Sequence, residues 1–115
     1  MDVIRMQPKY KIWLEEGDYV FGDGLALILE NVDRHGSICE AARQIGMSYR
    51  HVWGTIRKAE KCLGYDLLIK RIGGDDGGGA ELTPRGKEML QKYRIFRRDI
   101  DRKIKASFRR CFAGK

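Results

Sequence analysis

No run of apolar residues approaches the roughly 20 needed to cross a bilayer. A membrane-spanning helix is therefore excluded, and Met1-Asp2-Val3-Ile4-Arg5 does not lead into the apolar region of a signal peptide. The expectation is a cytoplasmic protein with no membrane partner. Catalytic and metal-binding side chains are also scarce. Cys39, Cys62 and Cys111 are odd in number and match neither zinc nor redox spacings, so reduced structural thiols and no metal are expected. His35 and His51 stand without a nucleophile arrangement. Asp99 and Asp101 cannot face each other on a helix, because residues two apart point to different sides. The stretch Gly73-Gly74-Asp75-Asp76-Gly77-Gly78-Gly79 lacks the Gly-Lys-Ser/Thr of a phosphate loop and sets two aspartates where phosphate would approach. Gly22-Asp23-Gly24 begins a dinucleotide fingerprint, but Leu27 fills the third glycine position. No catalytic residue and no cofactor is expected.

What the chain has in excess is positive charge, unevenly placed. Its 115 residues, a length suited to one domain, carry a net +7. Residues 1–33 hold three Lys/Arg against seven Asp/Glu, residues 34–71 eight against three, and residues 84–115 twelve against three. A polyanion bound on one side fits that asymmetry, since each neutralised phosphate releases counterions.

Residues 36–58 show where such a partner would be met. Ser37 and Glu40 have the spacing of a capping box, and Ile38, Ala41, Ala42 and Ile45 form a small apolar face behind it. The alanines permit close crossing of a second helix, and Gly46 supplies the positive φ of a short turn. Ser48 can cap that second helix. Along it, Tyr49, Val52, Trp53, Ile56 and Leu63 share one side, expected to be the core side. Arg50, His51, Gly54, Thr55 and Lys58 recur on the other. The pattern is a helix-turn-helix over about 37–62.

The flanks complete a plan. Tyr10–Leu14 and Tyr19–Phe21 read as a strand pair around a turn. Asp23 is expected to cap a helix carrying Leu25, Ile28, Leu29 and Val32 and ending at His35-Gly36. Leu67–Ile72 and Ala80–Leu82 read as a hairpin, a wing over about 67–82 with a glycine tip. Thr83 and Pro84 start a final helix, expected over about 84–112, with threonine as cap and proline at the first position. Its apolar residues Tyr93, Phe96, Ile100, Ile104 and Phe108 form a stripe along a rod of about 43 Å at 1.5 Å per residue. One small domain cannot cover that length, so a homodimer seam is expected there. The fold class is α+β, mainly α: one winged helix-turn-helix domain over 1–115, with an N-terminal hairpin and a long C-terminal dimerisation helix.

Gly36-Ser37-Ile38, Ala41-Ala42, Gly46-Met47-Ser48-Tyr49, Trp53, Ile56, the two glycine clusters and Leu82-Thr83-Pro84-x-Gly86 resemble the N-terminal DNA-binding domain of ModE-type molybdate-responsive regulators over roughly residues 10–105. LysR-type regulators are similar in plan at greater distance. The resemblance implies a dimeric transcription regulator of metal-oxyanion genes, with the second helix of the motif in the major groove and the wing along the backbone. The oxyanion-binding domains of full-length members have no counterpart in these residues, so direct molybdate binding is not expected. Arg50, His51 and Thr55 are expected to read base edges, and Ser48, Tyr49, Arg57, Lys58, Lys70 and Arg71 to meet phosphates. With Asp75 and Asp76 at the wing tip, the backbone of Gly77 and Gly78 is the expected contact there. The partner is then double-stranded DNA with a palindromic operator; the alternative is a winged helix whose basic face docks an acidic protein.

Overall fold

The computed structural model describes residues 5–71 and 79–112. In chain order it contains β1 (Trp13–Glu15), β2 (Tyr19–Gly22), α1 (Asp23–His35), α2 (Ile38–Ile45), α3 (Tyr49–Leu63), β3 (Leu68–Lys70), β4 (Ala80–Leu82) and α4 (Pro84–Phe112). β1 and β2 form one antiparallel ribbon, β3 and β4 a second. Leu68 pairs with Leu82, and Lys70 with Ala80. This is the winged helix-turn-helix arrangement, mainly helical, with a long last helix. The tip expected between β3 and β4, including Gly77 and Gly78, lies outside the described residues.

Three glycines end the first three helices. Gly36, Gly46 and Gly64 each adopt positive φ (70°, 71° and 82°), the left-handed conformation that closes a helix without a Cβ clash. Gly46 thereby makes the short turn between α2 and α3, and the N–H of Met47 after it returns to the Ala42 carbonyl at 2.9 Å. Ser37 Oγ accepts from the Glu40 N–H, the first half of the expected capping box. The Glu40 carboxylate turns along the helix instead, to Gln44 and Arg43.

The core is built from Phe21, Leu25, Ile28, Leu29, Val32, Ile38, Ala41, Val52, Ile56 and Leu67, with Leu90 and Tyr93 contributed by α4. Two expectations need correcting here. Asp23 does not cap α1: Gly22 stands at the cap, and the Asp23 carboxylate is taken by α4, accepting from Tyr93 Oη at 2.7 Å and from Arg97 Nε at 3.0 Å. The first strand is shorter than Tyr10–Leu14, because the Tyr10 ring leaves the ribbon to lie 4.5 Å from the Arg97 guanidinium. Partial burial pushes the Asp23 carboxyl up. The Arg97 and Tyr93 hydrogen bonds and the Arg97 charge outweigh this and hold it below the ordinary carboxylate range.

Thr83 starts α4 as expected, its hydroxyl accepting from the Gly86 N–H at 2.9 Å. It also donates to the Asp66 carbonyl at 2.7 Å, tying the helix start to the segment before β3. Gly86 is required by contact rather than conformation: a Cβ there would sit 2.4 Å from the Leu67 carbonyl oxygen. α4 then runs out of the domain, and the molecule measures 63 × 29 × 21 Å.

Candidate nucleic-acid interface

α3 is held by Val52, Ile56 and Ala59, all buried, and begins at Ser48, whose Oγ accepts from the His51 N–H at 3.1 Å. Spacings of four, seven and eleven then place Arg50, Gly54, Arg57 and Lys61 on one exposed ridge away from that anchor. Gly54 has open space beside its Cα, so a ligand can come close at the middle of the ridge. Arg50 and Lys61 pair with no carboxylate among the described residues. Lys61 completes the ridge and was not among the expected contacts, although its spacing from Arg57 and Gly54 carries the signal.

The two sides of the ridge differ. Toward β3 stand Tyr49 and Trp53, expected to be core. Trp53 is half-buried and packs against the core as expected, with its ring also turned to the wing strand, whereas Tyr49 is 41% exposed beside that strand. Lys70 of β3 lies across them, its ammonium 4.8 Å from the Trp53 ring centre and donating to Tyr49 Oη at 3.0 Å. The Arg57 guanidinium meets the same Trp53 ring at 5.5 Å. The result is two cations seated on an aromatic shelf, held in place yet open to solvent. Toward α1 stand His51, Thr55 and Lys58. His51 is exposed, whereas Thr55 is half-buried and its hydroxyl already donates to the His51 carbonyl at 2.9 Å. The hydroxyl proton of Thr55 is thereby used, which leaves its oxygen as an acceptor and its methyl group for apolar contact. Lys58 lies 3.9 Å from Asp18 of the first hairpin, both side chains largely exposed.

Arg71 follows β3 and is exposed, ion-paired to Glu81 on β4. Ser48, Tyr49, Arg50, Arg57 and Lys70 thus share one surface with the ridge, His51 and Lys58 border it, and Arg71 extends it along the wing. Glu60 was not anticipated. It is 7% exposed and stands at the fourth position after Ile56, where the apolar periodicity of the helix calls for another aliphatic. Its Oε2 accepts from the Leu67 and Leu68 N–H groups at 2.8 and 3.2 Å.

On α4 the stripe divides. Tyr93 is buried in the core of its own chain, 5.0 Å from the Phe21 ring, which corrects its place among the seam residues. Phe96 is exposed, and Ile100, Ile104 and Phe108 are half-buried.

Bacterial regulatory helix-turn-helix proteins of the lysR family match this sequence over residues 25–87, from the first turns of α1 to the start of α4. The chain belongs to that family. The sequence is also similar to molybdenum-related proteins. The molybdenum-pterin-binding protein MopB of Rhodobacter capsulatus is 36% identical over 66 residues, covering 57% of this chain and 24% of that protein. The DNA-binding transcriptional dual regulator ModE of Escherichia coli K12 is 30% identical over 89 residues, covering 76% of this chain and 34% of that one. The lysR-family chain therefore spans between about a quarter and a third of these curated relatives. Among solved structures, ArgP from Mycobacterium tuberculosis matches with a TM-score of 0.51 at 18% identity, over 70% of this chain and 30% of that one, a likeness of fold.

Proposed function

We propose that this protein is a sequence-specific regulator of transcription that binds double-stranded DNA as a homodimer, lays α3 in the major groove and runs β3 and β4 along the backbone. Arg50 and His51 read base edges and Thr55 meets a thymine methyl; Ser48, Tyr49, Arg57, Lys58, Lys70 and Arg71 position the domain on phosphates. The observation that carries the reading is the ridge of Arg50, Arg57 and Lys61 around Gly54, cationic and exposed on the second helix of the motif. The similarity to ModE-type regulators supports genes of molybdenum or related oxyanion metabolism as its targets.

Selection of bound duplexes from random DNA, followed by salt titration, tests this. Six to ten phosphate contacts per dimer correspond to an affinity loss of about 10³- to 10⁵-fold between 50 and 200 mM salt. Two half-sites are expected about one helical turn apart, or a multiple of it. Selection that yields no preferred sequence, with tight binding to an acidic protein instead, would identify the ridge as a protein-docking surface.

A further inference from the structure

A carboxylate within the last turn of a helix opposes the helix dipole, and burying one is costly unless it is well satisfied. Glu60 has both disadvantages. It faces β3 from the C-terminal end of α3, and its Oε2 gathers two backbone N–H groups of the wing. Its Oε1 is buried, has no hydrogen-bond partner among the described residues, and looks at Arg57 Nη1 across 3.6 Å. Arg57 is thereby bracketed along the helix, with the Trp53 ring one turn before it and the Glu60 charge one turn after, while its own side chain stays 62% exposed. An exposed arginine normally samples many rotamers, and each one lost on binding weakens the complex. Here the Trp53 ring and the Glu60 carboxylate both favour one placement of the guanidinium.

We infer that Glu60 is a positioning residue for DNA recognition: it fixes the wing strand to α3 through one oxygen and aims the Arg57 guanidinium through the other, so that Arg57, beyond the phosphate role given to it above, also reaches a base edge and contributes to sequence preference. The inference rests on the DNA-binding reading above. Its consequence runs against simple electrostatics. Removing a negative charge beside phosphates strengthens binding to any DNA, whereas releasing Arg57 from its bracket lowers the preference for the correct site.

Glu60→Gln separates the two. A glutamine carbonyl can still accept from Leu67 and Leu68, while the charge that holds Arg57 is gone. Affinities of the full chain for the selected duplex and for a scrambled duplex of equal length are measured at fixed salt, beside the melting temperature. The expected result is a folded protein that binds the scrambled duplex more tightly and whose preference ratio falls about tenfold, the scale of one lost base-directed contact. In an Arg57→Ala background the same substitution should change the ratio no further. Arg57→Lys, which keeps the charge but not the planar fork, should lower the ratio by a similar factor and serves as the measurement if Glu60→Gln does not fold. An unchanged ratio in folded Glu60→Gln, or in Arg57→Lys, overturns the inference while leaving the DNA-binding reading intact. A wild type with no preference at all overturns both.

Discussion

Arg50 and Lys58 stand on the same helix, yet their substitution should have different consequences. Arg50 follows the N-terminal end of α3 and has no carboxylate partner among the described residues, so its guanidinium is available for a bidentate contact with guanine. Arg50→Ala is expected to cost about 1–3 kcal/mol on the cognate duplex and to relax preference at one base pair, whereas Lys58→Ala should weaken all sequences alike. Competition binding against a panel of single-base variants checks both. Trp53 separates reading from structure. Its half-burial against Lys70 and Arg57 makes it a support for two cations as well as a packing group. Trp53→Ala should lower stability by less than the roughly 3–5 kcal/mol of a fully buried aromatic and should weaken duplex affinity as well. Denaturant midpoints and titrations on the same preparation read the two effects. At this scale the cationic side of α3 was legible because period and charge coincide. The exposure of Tyr49 was not, since a helical period marks a side but cannot say whether a core or a wing strand lies against it.

The elements were legible from α1 to β4 within a few residues, for a local reason. Each of the first three helices stops at a glycine that must adopt positive φ, and α2 and α3 each start at a serine that accepts a backbone N–H. What escaped were the long-range ties, because hydrogen bonds between residues 60 and 67, or 23 and 97, follow from tertiary placement and leave no periodic trace. Gly86 is one such tie. Gly86→Ala would push a Cβ into the Leu67 carbonyl and lever α4 from β3, and is expected to cost about 1–3 kcal/mol or more, read from the denaturant midpoint. The bond between α1 and α4 has a pH signature. Because the Asp23 carboxyl is held below its ordinary range in the folded protein, it contributes stability fully above the unfolded carboxylate range near pH 4. That contribution is lost as pH falls through the lower folded value. The stability gap between wild type and Asp23→Asn should therefore be present at pH 7 and narrow below about pH 4.

For the whole molecule, the decisive number is the 63 Å long axis against widths of 29 and 21 Å. α4 is tied to its own domain as far as Asp101, through Tyr10 and Asp23, and carries Phe96, Ile100, Ile104 and Phe108 as an apolar stripe beyond the buried Tyr93. Replacing Ile100 and Ile104 together with lysine puts two unpaired charges into the proposed seam. Sedimentation should then report a monomer where the wild type is expected to run as a dimer, and specific affinity should drop toward the non-specific level while the helix-turn-helix unit stays folded. A wild type that sediments as a monomer at micromolar concentration would remove the seam from the reading. α1 gives this rod a further meaning. Its first residue, Asp23, is bonded to α4 through Arg97 and Tyr93, and the carbonyl of Gly36 at its other end accepts from the Ala80 N–H of β4 at 2.9 Å. The helix is a strut pinned at both ends, one pin on the rod that would join two copies and the other on the strand that would lie along DNA. Loosening the first pin should be felt at the second: in Asp23→Asn the Ala80 amide should exchange with solvent faster than in wild type, and how two copies clasp each other would set how firmly each wing is held.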